Sequence, residues 1–127
     1  MGENQKNTIL IVDDEPTCIK LYIHMLSSDY SLYVAKDGQS AIDVAVKRLP
    51  DLILLDVDMP GMNGFEVLSS LKALDATKTI PTIFVTGHNN HEDIERGLNM
   101  GAVGFISKTS GSEIIKSEIA NHFCPGD

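Results

Sequence analysis

Short apolar runs recur along the chain, and most of them stop at a polar or reactive residue. Ile9 to Val12 ends before Asp13, Tyr30 to Ala35 before Lys36, Leu52 to Leu55 before Asp56, Ile83 to Val85 before Thr86, and Val103 to Ile106 before Ser107 and Lys108. Runs of this length, closed by polar residues, predict five β-strands. Between them the apolar positions change to a helical period. They fall at Ile19, Tyr22, Ile23 and Leu26, then Ala41, Ile42, Ala45, Val46 and Leu49, then Phe65, Leu68 and Leu71, then Ile114, Ile115, Ile119 and Phe123. The helix starts carry matching chemistry: Pro16 suits a first turn, Asp37 and Asn90 can cap, and Ser110 with Glu113 has the spacing of a capping box. The segment from Asn90 to Gly101 is the weakest helix. Gly97 lies in its interior and Ile94, Leu98 and Met100 are its only large apolar residues, so it is expected to be the most mobile element.

Strand and helix alternate throughout, which predicts a doubly wound α/β domain. The second and third strands are nearly continuous in apolar character, as in a parallel sheet covered on both faces, with right-handed crossovers. A chain of 127 residues, 43% of them hydrophobic, is the size of one domain. We expect a single unit over residues 1–127 with its core at about 8–123. The longest apolar run has four residues, far short of a membrane span. Ten Lys and Arg against eighteen Asp and Glu give a net charge of −8, which repels nucleic acid and anionic membrane, and the chain has no tryptophan for base stacking. Cys18 and Cys124 lack CxxC spacing and read as reduced thiols, and residues 1–7 have no apolar signal segment. A cytoplasmic location is expected.

Ligands of open α/β sheets bind beyond the carboxyl ends of the strands. If the first and third strands are neighbours, Asp13, Asp14 and Asp56 meet there, with Glu15 close in sequence. Taken singly, Asp13 or Asp14 could cap the helix that starts at Pro16, and Asp56 could end its strand in solvent. Taken together they repel one another, and hard oxygen donors of this kind suit a divalent cation, Mg²⁺ or alternatively Mn²⁺. Thr86 and Lys108 end strands at the same edge. A carboxylate beside such a cation is a competent nucleophile toward a phosphoryl group, and the charge on the transferring oxygens then calls for a cation and a hydroxyl donor, which Lys108 and Thr86 supply. Gly87 leaves the approach unobstructed.

Over residues 8 to 123 the sequence resembles a response-regulator receiver domain. The resemblance rests on ILIVDDEP (9–16), DLILLDVDMPGMNGFEVL (51–68), IPTIFVTG (80–87) and GAVGFISK (101–108), in the family's order and spacing. It implies a flavodoxin-like three-layer sandwich, with five strands in the order 2-1-3-4-5 and five helices. It makes Asp56 the phosphoacceptor, assigns Asp13 and Asp14 to the metal together with Asp56 and the main-chain carbonyl of Asp58, and puts Thr86 and Lys108 on the phosphoryl group. Phe105 matches the aromatic that rotates inward when Thr86 is drawn toward the phosphate. Met59, Pro60, Gly61, Asn63 and Gly64 match a loop that fixes shape and carries no chemistry. The chain departs from the family in having Thr109 where proline usually follows the lysine, often through a cis bond. A cis bond before a residue other than proline costs about 2.5–4 kcal/mol, so the sequence leaves the cis or trans state of this bond, and with it the shape of the loop, open. Asp58 is a second departure, adding a carboxylate two residues from Asp56 that is expected to alter the lifetime of the acyl phosphate.

By the same resemblance the partners are a sensor histidine kinase or a histidine phosphotransfer protein. The readout surface is the fourth helix, fifth strand and fifth helix, offered to a separate target, an output domain or a second copy of the chain, in a stand-alone protein or part of a longer one. The rival reading is a haloacid-dehalogenase-like phosphohydrolase with Asp56 as nucleophile and Asp58 as acid. That family places its DxD on the first strand and its acidic pair after the lysine, whereas here the pair is upstream. A flavin or nucleotide site ranks third, because the loop after the first strand is DDEP and not rich in Gly, Ser or Thr. His24, His88, His91 and His122 lack ligand spacing and read as surface or packing residues.

Overall fold

The computed structural model describes residues 7–87 and 91–123. Strands β1 (Thr8–Val12), β2 (Ser31–Ala35), β3 (Leu52–Asp56), β4 (Thr82–Thr86) and β5 (Gly104–Ser107) alternate with helices α1 (Pro16–Leu26), α2 (Gly38–Arg48), α3 (Gly64–Lys72), α4 (His91–Asn99) and α5 (Ser112–Phe123). The strands form one parallel sheet in the order β2-β1-β3-β4-β5, the predicted doubly wound topology. Order reverses after β1, so β1 and β3 are neighbours and their carboxyl ends open onto one crevice.

Alternating side chains along the strands build a separate core on each face. Leu10, Val12, Ile53, Leu55 and Phe84 pack with Ala41 and Ala45 of α2 and Phe65, Leu68 and Leu71 of α3. Ile9, Ile11, Leu52, Leu54, Ile83, Val85 and Ile106 pack with Tyr22, Met25 and Leu26 of α1 and Ile115 and Ile119 of α5. The foot of the sheet is tied by Thr8 N–H to Asp51 Oδ2 at 2.7 Å and by the ring of Phe123, at the end of α5, 5.3 Å from that of Tyr30. No helix among the described residues is long and apolar enough to cross a membrane.

Several local expectations change. β2 is an edge strand with Ser31 and Tyr33 exposed, not a strand covered on both faces; Arg48 lies over the Tyr33 ring at 5.5 Å. Ile23, Val46, Leu49 and Ile114 follow helical periodicity yet point outward, because each helix contacts the sheet along a stripe narrower than its apolar face; Met25 is buried instead of Ile23. The Ser110–Glu113 capping box does not form. α5 starts at Ser112, with the Gly111 carbonyl accepting from Ile114 and Ile115 N–H, which leaves Ser110 outside the helix. Pro16 opens α1 and Asp37 caps α2 by accepting from Ser40 N–H, both as expected. The predicted cap at Asn90, together with His88 and Cys124, lies outside the described residues.

Candidate functional site

Four strand ends converge on the crevice. β1 delivers Asp13, held where its N–H donates to the Ala35 carbonyl at 3.1 Å, and β3 delivers Asp56, whose successor Val57 donates to Val85. After β5, the Lys108 N–H donates to the Thr86 carbonyl at 2.8 Å, which fixes the lysine beside the end of β4. Its Nζ then sits 3.3 Å from Asp56 Oδ2, 3.6 Å from Asp13 Oδ2 and 3.6 Å from Glu15 Oε1. Asp13 and Asp56 are each 1% exposed. Their Oδ1 oxygens are positioned by the chain itself: Glu15 N–H donates to Asp13 Oδ1 at 3.0 Å and Asp58 N–H to Asp56 Oδ1 at 3.2 Å.

Asp13 Oδ2 and Asp56 Oδ2 are buried without a hydrogen bond of good geometry, and Lys108 faces both as an ion pair. Burial raises the Asp56 carboxyl to about 6; the Asp13 charge adds to the rise, and Lys108 with the Asp58 N–H opposes it. At Lys108 burial acts to lower the pKa, but Asp56 and Asp13 outweigh it and hold the ammonium above its ordinary value. One lysine therefore faces a surplus of buried negative charge.

Asp13, Asp14 and Asp56 each bring one carboxylate oxygen within 4.8 Å of the others. All three are hard oxygen donors, two with an unsatisfied buried oxygen, and that set fits a divalent cation. Asp13, Glu15 and Cys18 likewise bring one ligand atom each within 4.8 Å of one another. There, however, the Lys108 ammonium already faces Asp13 and Glu15. The Cys18 thiol, pushed up to about 11 by burial and by its bond to Glu15 Oε1 at 3.3 Å, stays protonated.

Thr86 is buried at the end of β4, and Gly87 beside it is exposed with open space around its Cα. Phe105 is half-buried on β5, its ring 5.2 Å from that of Phe84. The Lys108–Thr109 bond is trans, and Thr109 turns back so that its N–H and hydroxyl both meet Ser107 Oγ, at 3.2 and 2.7 Å. Lys108 still reaches Asp56, so a proline is not needed for that reach. Asp58 is exposed at the rim. The loop after β3 is built as a scaffold: Gly61 takes φ +80°, and Asn63 with Glu66 forms a capping box for α3, with both bonds at 2.9 Å. A Cβ at Gly64 would lie 2.5 Å from the Asp56 carbonyl, so glycine is required where α3 abuts the site.

Glu15, placed near the acidic residues by the sequence, joins the Lys108 cluster, a pairing that needs the loop fold to be known; the capping role of Asn63 went unread although it was legible in the N-x-x-E spacing before an apolar run. The phosphohydrolase reading finds no matching arrangement, since the DVD segment ends the third strand and the acidic pair comes from the first.

Comparison with known proteins agrees with this geometry. Residues 9–120 match the family described as response regulator receiver domain. A probable cyclic di-GMP phosphodiesterase of Vibrio cholerae is 38% identical over 122 residues, covering 96% of this chain and 28% of the relative. The response regulator PleD of Caulobacter vibrioides is 41% identical over 101 residues, covering 79% of this chain and 22% of the relative. The chain thus spans about a quarter of the length of these curated relatives. Among solved structures, the Vibrio cholerae chemotaxis protein CheY4 superposes with a TM-score of 0.86 at 28% identity, covering 91% of this chain and 98% of that one.

Proposed function

The chain belongs to the response regulator receiver domain family, and from that premise we propose that Asp56 is the phosphoryl acceptor of a switch set by a sensor histidine kinase or a histidine phosphotransfer protein. One observation carries the assignment: Asp56 presents a buried oxygen without a hydrogen bond of good geometry, with Lys108 Nζ 3.3 Å away. That oxygen is the free nucleophile, while Oδ1 is held by the Asp58 N–H. It attacks phosphorus, the bond from phosphorus to the donor nitrogen or oxygen breaks, and the electron pair leaves with the donor, which takes up a proton. The product is an acyl phosphate on Asp56. Lys108 balances the charge on the transferring oxygens and the Thr86 hydroxyl donates to one of them. Asp13, Asp14, Asp56 and the Asp58 main-chain carbonyl would hold Mg²⁺ or Mn²⁺, whose charge offsets the repulsion between the carboxylates and the incoming phosphoryl group.

Thr86, drawn toward the phosphoryl group, lets Phe105 change position, and the surface of α4, β5 and α5 reports the change to an output domain, a separate target or a second copy. The domain is a signalling switch that assists its own phosphoryl transfer. The test is a time course of intact mass with Mg²⁺ and acetyl phosphate. One phosphoryl adduct is expected, absent with a chelator and in Asp56→Asn, and formed at least tenfold more slowly in Lys108→Ala, a loss in the range for one removed charge-stabilising donor. Sustained donor hydrolysis without adduct would favour a phosphohydrolase instead.

A further inference from the structure

Three phenylalanines form a row across one face of the sheet, from α3 to β5. The Phe65 and Phe84 rings are 5.1 Å apart and those of Phe84 and Phe105 5.2 Å apart. Helix α4 lies against this row through two consecutive residues. The Arg96 guanidinium sits 4.3 Å from the centre of Phe65, and Gly97, the one buried residue of α4, sits on the other end. A Cβ built on Gly97 would come 2.6 and 2.8 Å from Cε2 and Cζ of Phe105 and 2.9 Å from Cδ2 of Phe84, closer than real Cβ atoms come. The backbone of Gly97 does not demand glycine, since its φ is not positive, and glycine inside a helix costs about 1 kcal/mol relative to alanine. What demands glycine is the ring of Phe105. Phe84 is fully buried and cannot give way, whereas Phe105 is half-buried at the sheet edge and can.

We propose that Gly97 is a positioning residue for Phe105: its missing side chain forms the socket in which the ring rests, and any larger residue there drives the ring outward. α4, and not only β5, then sets the resting position of the aromatic. The proposal deepens the reading of Phe105 as the moving ring and rests on it for its functional meaning.

The test uses the chain labelled with 4-fluorophenylalanine, its four phenylalanine signals assigned by Phe→Leu variants. Gly97→Ala is expected to displace the residue 105 resonance at rest and to increase its solvent isotope shift, while the Phe123 resonance stays in place. The loss of Tm caused by Gly97→Ala should shrink by at least half in a Phe105→Ala background. An unmoved residue 105 resonance with equal Tm loss in both backgrounds would overturn the proposal, because the clash would then be with Phe84 or the helix as a whole. If Gly97→Ala alone does not fold, folding of the Gly97→Ala, Phe105→Ala pair supports the socket, and failure of both overturns it. Adding Mg²⁺ and beryllium fluoride, a phosphoryl mimic, to the unsubstituted chain tests the other premise separately: a residue 105 resonance that does not respond would sink the moving-ring reading and leave the resting measurement intact.

Discussion

Burial lifts the Asp56 carboxyl to about 6, above its ordinary value of 3.8, with the Asp13 charge adding to the shift. A carboxylate with a raised native pKa binds more protons folded than unfolded across that interval, so stability falls as pH rises through it and the penalty is complete above pH 6. Asp56→Asn should therefore stabilise the metal-free protein at pH 7.5, by about 1–3 kcal/mol, and the gain should vanish as pH falls to 4. Thermal unfolding with a chelator at the two pH values checks this. Gly64→Ala should do the opposite. The backbone it would strike, the Asp56 carbonyl at 2.5 Å, cannot swing aside, so a loss of about 1–3 kcal/mol is expected together with slower phosphorylation. The strand-ending residues themselves were legible in the sequence, because an apolar run that stops at a carboxylate marks where the sheet meets solvent. The buried Oδ2 oxygens of Asp13 and Asp56 and the reach of Lys108 to Glu15 were not, since both depend on side-chain directions that only the assembled loops fix.

Among the elements, α3 is fastened directly beside the site, through the Asn63–Glu66 capping box and the close approach of Gly64 to the end of β3. Asn63→Ala should lower stability by about 1 kcal/mol and Asn63→Asp much less, as equilibrium unfolding in urea would reveal. α4 stands at the other extreme. Gly97 is its one buried residue, so native-state hydrogen exchange should find its amides opening before those of β1, β3 and β4. Periodicity located all the elements because strand and helix repeats differ. It overstated burial at the margins, making β2 a covered strand and turning Val46, Leu49 and Ile114 inward, because a pattern of apolar residues does not reveal how wide a strip the neighbouring element covers. Gly97 carries a second meaning that the pattern could not show. In one dimension it looks like a weakness, and only the position of Phe105 makes it a fit.

Across the whole molecule, the sheet separates two cores, and the Phe65–Phe84–Phe105 row belongs to only one of them. Substitutions in the α1 and α5 core should thus change stability with little effect on how α4 responds, whereas those along the row should change both. Excess negative charge is concentrated where β1 and β3 end. Mg²⁺ should accordingly raise the Tm of the unsubstituted chain, and Asp13→Asn should abolish most of that increase, as a titration followed by thermal shift would record. The ring of Phe123 against Tyr30 has a practical consequence. It fastens the end of α5 to the foot of the sheet, where β1 also begins, one strand length of roughly 17 Å from the carboxylates. A tether that joins the fold at Thr8 or Phe123 meets it at the foot, away from the phosphoryl crevice, so partner kinetics could be measured on immobilised protein without masking the site.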